Sequence, residues 1–250
     1  LLGGGSNLLL TGDFDGTVLH SQIMGMERHD DGAEYVLLRC GSGLVWDEVV
    51  AQCVAEGLYG AENLSLIPGE VGASAVQNIG AYGAEVKDLI TTVEAIEMET
   101  GRIVQFTNAQ CEYAYRQSRF KRDWKDRFFI THVTYRLCRT FVPHLDYGNI
   151  KAALAEKGIV TPTPIELRQA IIDIRNAKLP DPKVEGNAGS FFMNPIVERS
   201  KFEALKDLYP DMPHYIIDNE RVKIPAGWMI EQCGWKGKAL GRAGVGYKAM

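Results

Sequence analysis

Residues 67–83 read Ile-Pro-Gly-Glu-Val-Gly-Ala-Ser-Ala-Val-Gln-Asn-Ile-Gly-Ala-Tyr-Gly, and no other stretch restricts the fold of this chain so much. Almost every side chain in it is small. Its glycines reach backbone angles closed to other residues, and the absent side chains leave amides bare. Such a backbone can lie flat against a bound cofactor and donate amides to a pyrophosphate or a ring edge. The competing explanation is a close helix–strand contact, which needs one or two small residues rather than this many. The pattern therefore reads as ligand contact. Its candidate residues are Pro68, Gly69, Gly72, Ala73, Ser74, Asn78, Ile79, Gly80, Ala81, Tyr82 and Gly83.

A second glycine cluster, Gly3-Gly4-Gly5-Ser6-Asn7, lies between apolar runs. Successive bare amides form a concavity for phosphate oxygens. The GxGxxG fingerprint is absent and no helix pattern follows, which disfavours a Rossmann reading. On the motif alone, a ligand loop and a tight hairpin turn stay equally open. Residues 113–121 alternate aromatic and cationic groups, Tyr113, Tyr115, Arg116, Arg119, Phe120 and Lys121. Arginine suits bidentate recognition of carboxylate or phosphate. Taken alone, a solvated strand edge explains this segment slightly better. Arg175 and Lys178 share a helix face, where the helix dipole already favours cations. Ser190 lies in Gly186-Asn187-Ala188-Gly189-Ser190-Phe191-Phe192-Met193-Asn194-Pro195. GxSxG is absent there, so a hydrolase elbow is unsupported, and a turn or capping serine is the common case. His20, His29, His132, His144 and His214 have no metal-ligand spacing, and no metal is expected.

The net charge of -5 disfavours nucleic acid, so an anionic ligand must be held by local cations. Hydrophobic residues at 46% allow a sizeable core. Cys40, Cys53, Cys111, Cys138 and Cys233 contain no CxxC pair and read as free, mostly core thiols in a reducing compartment. No apolar run approaches the roughly 18 residues of a membrane span, and no signal peptide is visible. The chain opens on Leu1-Leu2-Gly3 without methionine and closes without a stop signal, so both ends read as cut.

Apolar runs at residues 8–10, 35–38, 93–98, 103–106 and 128–137 read as strands, with a turn at Gly101. Residues 46–56 place Val49, Val50, Cys53 and Val54 on one helical face. Residues 165–178 read as a helix with Leu167, Ala170, Ile171 and Ile174 inward, ended by Pro180 and Pro182. Residues 200–208 and 226–233 read as two more helices. Strands and helices intersperse, giving a mixed class with a boundary near residues 179–183.

Five stretches occur together and in order: LGGGSN at 2–7, IPGEVGASAVQNIGAYG at 67–83, YRQSRFK at 115–121, KLPDPKVEGNAGSFFMNP at 178–195 and PAGWMIEQCGWKG at 225–237. In these the chain resembles the UDP-N-acetylenolpyruvoylglucosamine reductase (UDP-N-acetylmuramate dehydrogenase) family along nearly its whole length. Tyr147-Gly148 is similar to the subtype with an extra tyrosine loop. The resemblance implies an α+β fold: a vanillyl-alcohol-oxidase-like FAD-binding module over residues 1–179, then a smaller α+β substrate-binding domain over 180–250. It implies FAD as cofactor, NADPH as hydride donor and a UDP-sugar as substrate, in a cytoplasmic monomer without nucleic-acid or membrane partners. Gly3, Gly4, Gly5, Ser6, Asn7 and residues 68–83 would cradle the FAD pyrophosphate and flank its ring. Ser190 would donate the proton and Arg116 would meet the substrate carboxylate. Tyr115, Tyr147, Lys178, Asn194 and Gln232 would contact substrate, with Lys178 serving NADPH as well. The family's catalytic glutamate falls beyond residue 250, so the chain is expected to bind flavin poorly and to be inactive as it stands.

Two other classes compete. Another flavoenzyme of the same fold would share the glycine loops but has no reason to carry GNAGSFFMNP. A non-enzymatic nucleotide-binding fragment would lack the acid.

Overall fold

Strands β1 (Met26–Asp31) and β2 (Tyr35–Gly41) pair antiparallel, and β2 buries Val36, Leu38 and Cys40 on one face as period-two alternation demands. The computed structural model describes every residue except Asn7, Gly148, Pro182, Lys183, Glu185, Ala188, Ser190, Phe191 and residues 247–250. It divides into two compact units, Leu1–Ile174 and Arg175–Met250.

In the first unit, helix α1 (Trp46–Ala55) buries Trp46, Val49, Val50, Cys53 and Val54, and helix α2 (Val71–Gln77) buries Val71, Ser74 and Ala75. A short hairpin, β3 (Gly80–Ala81) and β4 (Ala84–Glu85), follows. Strands β5 (Ile90–Glu97), β6 (Ile103–Thr107) and β7 (Phe128–Cys138) complete an antiparallel sheet in the order β1-β2-β7-β5-β6. Gly101, at φ 71°, turns β5 into β6. The buried face adds Val93, Ala95, Val133, Tyr135 and Leu137 to one core with α1 and α2. Trp46 meets Tyr135 edge-on at 5.4 Å and donates its indole N–H to Leu64 O at 2.9 Å, so the polar end of a buried tryptophan is satisfied. The opposite face is polar: Arg39 grips Glu94 through two bonds of 2.7 and 2.8 Å, and Arg136 lies 3.6 Å over the Tyr35 ring. One solvated face is what an antiparallel sheet permits.

Helices α3 (Ile150–Glu156) and α4 (Pro164–Lys178) make a second core from Ile150, Leu154, Leu167, Ala170, Ile171 and Ile174. Reciprocal bonds between Thr163 and Glu166 start α4 as a capping box. Arg168 forks onto Asp47 at 2.8 and 2.9 Å, tying α4 to α1. The division between the units falls within α4, whose last four residues belong to the second.

The second unit holds β8 (Ile196–Glu198), α5 (Arg199–Leu208), β9 (Tyr215–Ile216), β10 (Arg221–Lys223) and α6 (Ala226–Gln232). The strands order β8-β10-β9 over a core of Phe202, Met212, Val222 and Ile224.

Two expectations need correction. Residues 8–10 form no strand: Leu8, Leu9 and Leu10 are exposed and pair with no ladder among the described residues. An apolar triplet cannot satisfy its backbone as a strand without a partner edge. The small-residue run does not lie flat throughout, because its middle folds into α2. Among the cysteines, Cys40, Cys53 and Cys111 are buried, and burial pushes the Cys53 thiol up to about 12.

Candidate functional site

The two glycine loops, 64 positions apart at Gly5 and Gly69, meet in space. A β-carbon on Gly3 would stand 3.5 Å from Ala73 Cβ, one on Gly4 3.8 Å from Gly69 Cα, and one on Gly69 3.5 Å from Ser6 Oγ. Gly5 and Gly69 take φ values of 70° and 117°, angles natural to glycine. Among the described residues, no hydrogen bond draws on the amides of Gly3, Gly4, Gly5 or Ser6. That leaves these successive amides available as donors, which a diphosphate needs. Asn7 lies outside the described residues. Beneath Gly3 and Gly4 sits the nearly buried carboxylate of Glu70, which His20 Nε2 meets at 2.7 Å. Neither Glu70 nor His20 was singled out by sequence reasoning; their pairing spans 50 positions and leaves no local pattern.

Part of the small-residue run serves packing. Gly72 donates its amide to Ser42 O at 2.9 Å, and a β-carbon there would press to 3.0 Å of Ser42 Cβ. Ser74 is buried, its hydroxyl donating to Val71 O at 2.7 Å and sharing a hydrogen bond with Tyr135 Oη at 2.8 Å. Asn78, fully buried at φ 44°, closes α2; its amide donates to Glu85 Oε2 at 3.0 Å and Ala114 O at 2.8 Å, and its Oδ1 accepts from Lys87 N at 3.1 Å. Both side chains are spent inside the protein. Ile79, Ala81 and Tyr82 are half-buried along the same segment, and Pro68 is exposed.

The aromatic–cationic segment is no strand edge. It packs on the carboxyl end of the glycine run. Arg116 Nη1 donates to Asn78 O at 3.2 Å and Nη2 to Gly80 O. Ser118 Oγ donates to Val76 O at 2.7 Å, and Lys121 Nζ reaches Gln77 Oε1 at 3.2 Å. Burial, then the neighbouring Arg116 charge, pull the Lys121 ammonium below its ordinary pKa. Gly80 has no room for a side chain, since a β-carbon would stand 2.7 Å from Arg116 Nη1 and 2.8 Å from Ala84 O. Tyr115 is half-buried, with the Arg116 guanidinium 5.2 Å from its ring.

The tyrosine loop joins the same region. A β-carbon on Gly83 would lie 3.2 Å from Tyr147 Cβ. The buried Asn63 sends one side-chain amide to two carbonyls, Tyr82 O at 2.9 Å and His144 O at 3.0 Å. Asn63 also escaped sequence reasoning; a polar pair, Glu62-Asn63, inside an otherwise apolar stretch was its available signal.

In the second unit, Asn194 Oδ1 accepts from Ala226 N at 2.9 Å, joining two of the quoted motifs at the start of α6. Gln232 is exposed at the end of α6 and Lys178 at the end of α4. Ser190 lies outside the described residues. Among the described residues, no histidine, cysteine, aspartate and glutamate cluster suits a metal, and no helix is long and apolar enough to cross a membrane.

A family model described as an FAD binding domain matches residues 1–107, and one described as the C-terminal domain of UDP-N-acetylenolpyruvoylglucosamine reductase matches residues 181–249. A UDP-N-acetylenolpyruvoylglucosamine reductase of Bacteroides fragilis (strain YCH46) is 57% identical over 244 residues, covering 98% of this chain and 73% of that protein. The chain belongs to the UDP-N-acetylenolpyruvoylglucosamine reductase family. The reductase of Paraburkholderia phymatum is 47% identical over 249 residues, covering 98% of this chain and 71% of its own. The crystal structure of the Thermus caldophilus reductase superposes with a TM-score of 0.62 at 21% identity, covering 99% of this chain and 70% of that one, and shows the shared fold. The family resemblance of the five motifs and the α+β two-domain class are thereby borne out.

Proposed function

We propose that the protein to which this chain belongs carries out the FAD-mediated, NADPH-dependent reduction of the enolpyruvyl ether of UDP-N-acetylglucosamine-enolpyruvate to UDP-N-acetylmuramate, a step of peptidoglycan precursor synthesis. The observation that carries this reading is the meeting of two stripped loops around uncommitted amides, in a protein of net charge -5. An anion can be held there by main-chain donors without a cluster of cations. The residues present fit the pyrophosphate of a flavin dinucleotide. Gly3, Gly4, Gly5 and Ser6 would hold it with their amides, and Asn7 completes the motif. Pro68, Gly69, Ala73 and the 78–83 backbone would flank the ring; Ser74 and Asn78, their side chains engaged inside, would act through main chain.

The chemistry that FAD supplies when bound is hydride transfer. The remaining demands fall on this chain's residues. Negative charge develops beside the substrate carboxylate, and a cation placed there favours the transition state over the ground state. Arg116 takes that role, held in place by the carbonyls of Asn78 and Gly80. Ser190 delivers a proton to the carbon beside the carboxylate, which a hydroxyl can do only in a dry site against a strongly basic centre. Tyr115, Tyr147, Lys178, Asn194 and Gln232 contact the UDP-sugar, and Lys178 also serves NADPH. We assign residues 1–179 to FAD binding and 180–250 to substrate binding, in a cytoplasmic monomer.

Stopped-flow absorbance tests the assignment. Ser190→Ala should leave flavin bleaching by NADPH nearly intact and slow flavin reoxidation by the UDP-sugar. Equal loss in both half-reactions removes Ser190 from the acid role.

A further inference from the structure

Tyr147 carries no rigid element of its own: it lies in the connection between β7 and α3, and Gly83, which it abuts, lies in a turn between two short strands. Something must fix these two turns against each other. Asn63 bonds to both. It sits in a short 3-10 turn, Glu62–Leu64, that is itself locked. Leu64 is fully buried and its carbonyl accepts from the Trp46 indole; Ser65 Oγ donates back to Glu62 O at 2.5 Å. From this base the Asn63 Nδ2 divides its two hydrogens between Tyr82 O and His144 O. Tyr82 immediately precedes Gly83, and His144 lies three positions before Tyr147. The flanks are anchored too: Tyr82, Phe141 and Leu145 pack on the α3–α4 core.

We propose that Asn63 is a positioning residue for substrate binding: by clamping the Tyr82 and His144 carbonyls together it sets Tyr147 against Gly83, the placement in which Tyr147 meets the UDP-sugar. The inference rests on the reading of Tyr147 as a substrate contact. An asparagine suits the task because an amide nitrogen offers two donors and both are used. Aspartate, of the same shape, would turn acceptors toward two carbonyls and open the clamp.

The test uses the flavin-loaded protein. Isothermal titration with UDP-N-acetylglucosamine-enolpyruvate on the oxidised form gives Kd, and steady-state assays give KM and kcat. For Asn63→Asp we expect Kd and KM to rise roughly tenfold, the scale of one or two lost hydrogen bonds, with kcat and bound FAD retained. In a Tyr147→Ala background the same substitution should add less than about twofold, because both act through one side chain. Asn63→Ser, which keeps one donor, should show the same split at smaller amplitude and serves if the aspartate variant does not fold. Weakened binding by Tyr147→Ala with unchanged binding by the Asn63 variants overturns the proposal alone. Multiplying effects in the double variant overturn it too. Unchanged binding by Tyr147→Ala overturns the reading of Tyr147, and the proposal with it.

Discussion

Arg116 donates to the carbonyl of Gly80, and Gly80 has space for that arginine only because it lacks a side chain. The glycine is thus part of how a cation is aimed, beyond any contact it makes with a ligand.

Gly80→Ala should displace Arg116 while the loops at Gly3 and Gly69 stay in place. We expect FAD content near wild type and flavin reoxidation by the UDP-sugar slowed by roughly 10- to 100-fold, the scale of a misplaced catalytic group. Stopped-flow measurement checks this. Wild-type reoxidation in the alanine variant would mean that Arg116 is not held by this contact.

Gly72→Ala acts on stability. Its methyl would press against Ser42 Cβ at 3.0 Å and Ser42 O at 3.3 Å, both within the core framework. Overpacking of this kind costs about 1–3 kcal/mol. A urea unfolding midpoint lowered accordingly, with the slope unchanged, is the expected result.

The Arg39–Glu94 pair gives a pH signature. The Arg39 hydrogen bonds hold the Glu94 carboxyl below its ordinary value near 4.5. A depressed acid stabilises the fold above the unfolded carboxylate's pKa and loses that contribution as pH falls through the lower folded value. Glu94→Gln should therefore cost about 0.5–1 kcal/mol at pH 7 and progressively less below pH 4.5. Thermal melts across this range check it; an undiminished gap at the acid end contradicts the pairing.

Sequence reading recovered the elements with a strong period. β2 alternates cleanly because one face is buried, β7 alternates on either side of a register shift at Thr131, and α1 and α4 carry apolar residues at helical spacing. It recovered the five motifs as well. α2 was illegible because Gly72, Ala73, Ser74 and Ala75 give no apolar stripe to distinguish helix from loop. Leu8, Leu9 and Leu10 misled because a strand is decided by its partner as well as by its own residues. The seating of Arg116 was out of reach for a similar reason. Its acceptors, Asn78 O and Gly80 O, lie 38 and 36 positions upstream, and neither is a side chain. Asn63 was missed because its work is done on main-chain carbonyls, which any residue can supply.

The central claim is that the amides of residues 3–6 and the facing Gly69 loop hold a dinucleotide flavin. FAD titration of the purified protein and of Gly4→Val, followed by absorbance and then by NADPH addition, tests it most directly. We predict that the wild type takes up FAD and bleaches with NADPH, whereas Gly4→Val, its side chain filling the gap to Gly69, stays folded and loses FAD. Undiminished FAD uptake by folded Gly4→Val would contradict the account.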